Sequence, residues 1–215
     1  MTDFAAARRN MVDGTIRTAD VTDLRLLRAF QETPRERFVP AKSAELAYVD
    51  FDLPVAAHRF LMQPRLLSKM LQVADIKATD RVLVVGCATG YGAAILSRIA
   101  AQVVALEEDA ELARAAREAL ADRPNVEVVS GSLAAGCTAS APFDVIVVEG
   151  ATEIVPETLL RQLSNGGRLL CVLGGDAAAK AMLYLRSGGD VGGRAVFDAA
   201  APVLPGFTRP LAFAF

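Results

Sequence analysis

Cysteine and histidine are scarce in this chain, with three and one among 215 residues. Cys87, Cys137 and Cys171 are odd in number and show no C-x-x-C spacing, which argues against a disulfide framework or a structural zinc site. An excess of one charge is also missing. The 23 Lys and Arg nearly balance 25 Asp and Glu, for a net charge of −2, so no nucleic-acid footprint is expected. Arginines do gather near the N-terminus (Arg8, Arg9, Arg17, Arg25, Arg28). Acids interleave with them from Asp13 onward, as on solvated helix faces. Long apolar runs are absent too. The uncharged run Val82–Ser97 is broken by Gly86, Gly90 and Gly92, which does not suit a membrane span. "MTDFAAARRN" has no apolar core of signal-peptide length. A cytoplasmic protein with no membrane partner is the default expectation.

What is present is the composition of a globular chain, 53% hydrophobic and 22% charged. Its length suits one domain with a sizeable core. Two regions differ in character. Residues 1 to about 75 lack buried-strand patterns and contain amphipathic runs. "VTDLRLLRAF" starts a helical stripe with Thr22 or Asp23 as N-cap, and Pro34 and Pro40 stop it. Pro64 suits the first turn of "PRLLSKMLQVA", with Leu66, Leu67, Met70 and Leu71 on one face.

From Arg81 onward strands and helices alternate. "RVLVVG", "QVVAL", "VEVVSG", "FDVIVVEG" and "GRLLCVLG" are short apolar runs of the kind buried on both faces. "DAELARAAREALA" reads as a helix, with Leu112, Ala116 and Leu120 on one side and Arg114 paired to Glu118. "VPETLLRQL" reads as a shorter helix, stopped by Asn165-Gly166-Gly167. Alternation of this kind means a parallel sheet with right-handed crossovers. The tail pieces "KAMLYLRS", "GGRAVFDAAAPVLP" and "RPLAFAF" are expected to add antiparallel strands.

The sharpest chemical signal is "VLVVGCATGYGAAIL". A strand end, a turn of small residues and a helix start are where open α/β sheets bind nucleotides. Glu107 ends the next strand, placed to accept hydrogen bonds from ribose hydroxyls. "SGSL" follows the third strand as a tight turn that could border an adenine. NAD is the rival ligand. Against it, the turn reads G-x-A-x-G and lacks the remaining glycines of the dinucleotide fingerprint.

"MVDGTIRTADVTDLRLLRAFQETPRERFVP", "AYVDFDLPV", "VLVVGCATGYGAAILSRIAAQVVALEED", "APFDVIVVEGA" and "LSNGGRLLCVLG" follow one another along nearly the whole chain. In that order they resemble the protein-L-isoaspartate O-methyltransferase family. The resemblance implies a class I S-adenosyl-L-methionine (SAM) methyltransferase fold. That means an α/β, Rossmann-like, mostly parallel seven-stranded sheet, with an N-terminal helical cover and antiparallel C-terminal strands. Residues 1–75 would be the cover and acceptor-side segment, and 76–215 the SAM-binding core, in one structural domain overall. The implied activity is carboxyl methylation of isoaspartyl residues in damaged proteins. A protein or peptide is then the substrate, S-adenosylhomocysteine the product, and a monomer the working form.

Carried over by position, Gly86, Cys87, Ala88, Gly90 and Tyr91 would line the donor, Glu107 would hold the ribose, and Ser132 and Leu133 would sit by the adenine. This sequence departs from the family at several of these places. Val84 stands where the family has glutamate, Ser132 where it has aspartate, and Ala88 at its middle glycine. Alanine is tolerated there if its φ is negative. Cys87 is expected to be a buried packing cysteine.

The acceptor segment departs furthest. Where the family has I-G-x-G-Q-T-I-S-x-P, this chain has V-A-A-H-R-F-L-M-Q-P, from Val55 to Pro64. Arg59, Phe60 and Met62 replace glutamine, threonine and serine. Three readings follow. Arg59 clamps the substrate carboxylate with its fork. Alternatively, Phe60, Leu61 and Met62 floor a site for a different acceptor, such as a small aromatic or lipid-like molecule. In the third, the chain is a non-catalytic interaction protein. Singly, Phe60 and Met62 could instead be core packing and Arg59 a solvated charge. His58 reads as incidental, although with Glu149 it would be the candidate base for a hydroxyl acceptor. A charged Glu149 would repel an isoaspartyl substrate.

Overall fold

The computed structural model describes residues 2–175 and 178–210. Helix α1 (Phe4–Met11) opens the chain and runs on through tighter and wider turns to Ala19. Helix α2 (Leu24–Glu32) is capped by Asp23, whose side chain accepts from the backbone N–H of Arg25 and Leu26. Helix α3 (Pro64–Ala74) has Pro64 at its first turn, where a missing N–H costs nothing. Its face of Leu66, Leu67, Met70 and Leu71 is buried, as its spacing predicts. Gln72 on α3 accepts from the backbone N–H of Thr22 and Asp23, so α3 also anchors the start of α2.

The cover is not all helix. Strands β1 (Leu53–Ala56) and β2 (Arg59–Leu61) form an antiparallel hairpin between α2 and α3, where the sequence pattern predicts no strand. Its tip is Ala57-His58, with His58 at φ +56. Asp52 Oδ1 accepts from the Gln63 N–H at 2.9 Å and so closes the hairpin's base.

The main sheet holds seven strands. They are β3 (Arg81–Val85), β4 (Gln102–Glu107), β5 (Val126–Ser130), β6 (Phe143–Thr152), β7 (Leu163–Leu173), β8 (Lys180–Ser187) and β9 (Asp190–Asp198). Their order is β5-β4-β3-β6-β7-β8-β9. The strands β3 to β7 run parallel and β8 and β9 antiparallel. Helices α4 (Tyr91–Leu96), α5 (Ala110–Ala119) and α6 (Glu157–Leu160) fill the crossovers. Alternate strand residues point to opposite faces. Val82, Val84, Val103 and Val147 join the core under the cover helices. Leu83, Val85, Leu106 and Val148 join the second core, on the far side. Val84 is therefore a core residue.

Two expectations are corrected. Asn165-Gly166-Gly167 does not stop a helix. It lies inside β7, where Gly166 takes φ +79 beside an irregularity in the β6–β7 pairing. The left-handed turn chemistry is real, but the sheet uses it. In the tail, "GGRAVFD" is strand β9, while Ala199–Pro202 is not. That segment instead crosses the carboxyl edge of the sheet, with the Ala151 N–H donating to the Pro202 carbonyl and the Leu204 N–H to that of Ala151. The last expected piece, "RPLAFAF", starts outside any strand at Arg209-Pro210, and its residues 211–215 lie outside the described residues.

Candidate functional site

The carboxyl ends of β3, β4 and β6 converge where the small-residue turn leaves β3. Gly86 takes φ +77 and Gly90 φ +96. Both N–H groups of Gly86 and Cys87 donate to the Leu106 carbonyl, which locks the turn against β4. Ala88 does not meet the condition of a negative φ, since its φ is +51, in the left-handed region. That angle aims its N–H at Glu107 Oε2, 2.7 Å away.

Glu107 is wholly buried at the end of β4. Its Oε1 also accepts from the N–H of Glu108 at 2.9 Å and of Asp109 at 3.1 Å. The remaining capacity of the carboxylate goes to Arg59. Nη2 donates to Oε2 at 2.7 Å, and Nη1 pairs closely with Oε1. Arg59 is 4% exposed. It is thus neither a solvated charge nor a free clamp, since both Nη atoms of its fork face Glu107.

The other predicted residues differ in burial. Tyr91 is buried away from the turn's surface, edge-on to Phe30 and Phe38 and under the Arg35 guanidinium, 4.6 Å from its ring centre. Cys87 is buried, and burial, with the nearby Glu107 and Glu149 charges, pushes its thiol well up. Ser132 is exposed and Leu133 buried in the turn after β5, with the Leu133 N–H donating to Glu108 Oε2 at 3.2 Å. His58 is exposed at the hairpin tip, Phe60 half-buried and Met62 buried.

Sequence reasoning missed Leu204 and the burial of Glu149. Leu204, from the returning tail, lies over the turn. A Cβ on Gly86 would sit 2.8 Å from its Cδ1 and 3.4 Å from Arg59 Nη2. Glu149, on β6, is buried against α4. Its Oε1 would stand 1.6 Å from a Cβ on Gly92, so any side chain there would force the carboxylate to move. Burial, helped by Glu107 and opposed by Arg35 and Arg59, pushes its carboxyl up to about 8. Glu149 Oε1 has no hydrogen-bond partner among the described residues. It lines a small cavity with Asp52, His58, Phe60 and Met62, of about 10 Å³, room for a single water. Among the described residues there is no His, Cys, Asp and Glu cluster that could hold a metal ion, and no helix long and apolar enough to cross a membrane.

A parallel sheet with a turn of small residues after β3, an acid ending β4 and an antiparallel β8–β9 edge defines a class I methyltransferase fold. Residues 6–198 match the family Protein-L-isoaspartate(D-aspartate) O-methyltransferase, and the chain belongs to that family. Among curated proteins, the Protein-L-isoaspartate O-methyltransferase of Koribacter versatilis is 40% identical over 176 residues, 81% of this chain and 79% of that protein. That of Methylorubrum populi is 41% identical over 175 residues, 81% and 82% of the two chains. A solved protein-L-isoaspartate O-methyltransferase superposes with TM-score 0.80 at 26% identity, covering 93% of this chain and 66% of that one. A second, from Plasmodium falciparum in complex with S-adenosyl-L-homocysteine, shares the fold at TM-score 0.79 and 16% identity, over 92% and 97% of the chains.

In kind, the turn and Glu107 suit an adenosyl donor, with glycine at the approach and a carboxylate for hydroxyls. In space, the protein's own side chains occupy both of these features. Arg59 fills the hydrogen-bonding side of Glu107, and Leu204 and Arg59 cover Gly86.

Proposed function

We propose that this chain is a SAM-dependent protein carboxyl methyltransferase acting on isoaspartyl residues of damaged proteins, as a monomer in the cytoplasm. One observation carries the reading. The buried Glu107 carboxylate meets the Ala88 N–H of the Gly86–Gly90 turn, in a chain that matches the family over residues 6–198. Gly86, Cys87, Ala88 and Gly90 would line the donor, with Tyr91 bracing them from the core. Glu107 would take the ribose, and Ser132 and Leu133 would lie by the adenine. The donor supplies an electrophilic methyl group.

The acceptor would approach the hairpin side, over Phe60 and Met62. A side-chain carboxyl has a reference pKa of about 4, so the acceptor is already ionised at neutral pH and needs no base. Glu149 is no obstacle to it. With its carboxyl pushed up to about 8, Glu149 is mostly protonated at pH 7 and can donate a hydrogen bond to a carboxylate. The Arg59–Glu107 pair supports a second reading, a non-catalytic family member whose donor site is filled by its own side chain.

Calorimetry with SAM, followed by an isoaspartyl peptide and methyl-labelled SAM, separates the two. Binding and base-labile label on the peptide are expected. Binding without label would remove the carboxyl acceptor, and a folded protein that binds neither SAM nor S-adenosylhomocysteine would remove the methyltransferase reading altogether.

A further inference from the structure

Resting on that reading, we propose that Arg59 sets the affinity of the donor site as an internal occupant, which an adenosyl ligand must displace from Glu107. The pair joins residues 48 apart in sequence, one on the hairpin and one at the end of β4. It is almost wholly buried, at 4% and 0% side-chain exposure. Glu107 is the acid best placed to receive ribose hydroxyls, and Arg59 takes one position on each of its oxygens. Arg59 Nη2 also reaches the space above Gly86. One side chain therefore blocks both features that suit the turn to a nucleoside, its acid and its open glycine.

Displacing Arg59 requires a shift of the hairpin alone and leaves the pairing of the main sheet intact. The hairpin forms its own two-stranded sheet and shares no strand pairing with the seven-stranded one. Its pairing is interrupted between Pro54 and Ala56, and its tip is exposed. Displacing Arg59 would leave Glu107 with three donors. The N–H groups of Ala88, Glu108 and Asp109 still donate to it, so the open state keeps these bonds and gains a vacant edge, where ribose hydroxyls would take the place of the guanidinium. Arg59 Nε has no hydrogen-bond partner among the described residues in the closed state, so opening also releases a buried donor to solvent.

A ligand that binds only the open state has its apparent affinity reduced by the fraction of molecules that are open. Binding should therefore tighten when the occupant is weakened. The experiment measures the Kd of S-adenosylhomocysteine by calorimetry for wild type, Arg59→Gln and Arg59→Lys, each first shown to melt cooperatively. The expected result is binding at least tenfold tighter in Arg59→Gln than in wild type, with Arg59→Lys, which keeps the charge and loses the fork, in between. Equal affinity across the three, or weaker binding in Arg59→Gln, overturns the proposal while leaving the donor reading intact. No binding in any folded variant overturns both.

Should Arg59→Gln fail to fold, wild type alone decides the matter through amide hydrogen exchange. Saturating S-adenosylhomocysteine is expected to speed exchange in residues 59–61 several-fold while slowing it in the Gly86–Gly90 turn. Slower or unchanged exchange at 59–61 overturns the displacement.

Discussion

Ala88 shows how one residue's backbone can serve the site against its own preference. A left-handed φ costs a residue with a Cβ about 1–2 kcal/mol, and Ala88 holds φ +51 with its methyl buried. The return is the N–H directed at Glu107. Replacing Ala88 by glycine relieves that strain. It also removes about 0.8 kcal/mol of methyl burial and gives back roughly 0.4–1 kcal/mol of unfolded-state entropy. These terms nearly cancel, so Ala88→Gly is expected to change stability by less than ~1 kcal/mol. Ala93, buried within α4, has no strain to relieve. There the same substitution loses the methyl and about 1 kcal/mol of helix propensity, for a loss of roughly 2 kcal/mol. Denaturant melts of both variants test the contrast. An equal loss at the two positions would show that the left-handed turn at Ala88 stores no strain.

At the level of elements, Arg35 joins the cover to the end of the hairpin and to α4. It lies in the helical turn Arg35–Phe38 and is wholly buried. Its Nε donates to the Ala47 carbonyl at 2.7 Å and its Nη2 to the Met62 carbonyl at 2.9 Å, while the guanidinium lies over Tyr91. Burial pulls its pKa below the ordinary arginine value, with Tyr91 and Glu149 partly offsetting that. A lysine has a point charge and no fork, so it leaves one buried carbonyl without a donor. Arg35→Lys is expected to cost about 1–3 kcal/mol, read as a lower melting temperature. A neutral result would mean that water reaches the freed carbonyl.

The same elements show what the sequence makes legible. Helices α2, α3 and α5 and the parallel strands follow from local periodicity and caps, which nearby residues carry. The Arg114–Glu118 pair is there at 2.7 Å for that reason. Glu107 could be found because a strand end is a local feature. The hairpin escapes because its strands are four and three residues long and Pro54 sits in one of them. The Arg59–Glu107 pair escapes for another reason. No local spacing joins residues 48 apart, and only the folded topology brings them together. Glu149 reads from its sequence position as a charged acid at a strand edge, whereas the returning tail and α4 bury it.

For the whole molecule, Glu149 couples stability to pH. Its carboxyl stands at about 8 in the folded chain against an ordinary value of 4.5, so between those pH values the folded state holds a proton that the unfolded state has lost. Stability therefore falls as pH rises through this window. The contribution is fully present below about pH 4.5 and gone above about pH 8. Asp52, in the same cavity, is also raised by burial and adds in the same direction. Arg35 and Arg59 work against the rise and Glu107 with it, so the window belongs to a cluster of buried charges. Glu149→Gln copies the protonated form in shape and removes the titration. The variant is expected to match wild type near pH 5 and to exceed it by about 1–4 kcal/mol at pH 8.5, because every tenfold difference in proton affinity between folded and unfolded chains is worth about 1.36 kcal/mol. Paired melts at the two pH values measure this. A stability difference that stays constant between pH 5 and pH 8.5 would mean that Glu149 titrates as an ordinary carboxylate, and it would then carry its charge into the acceptor side of the site.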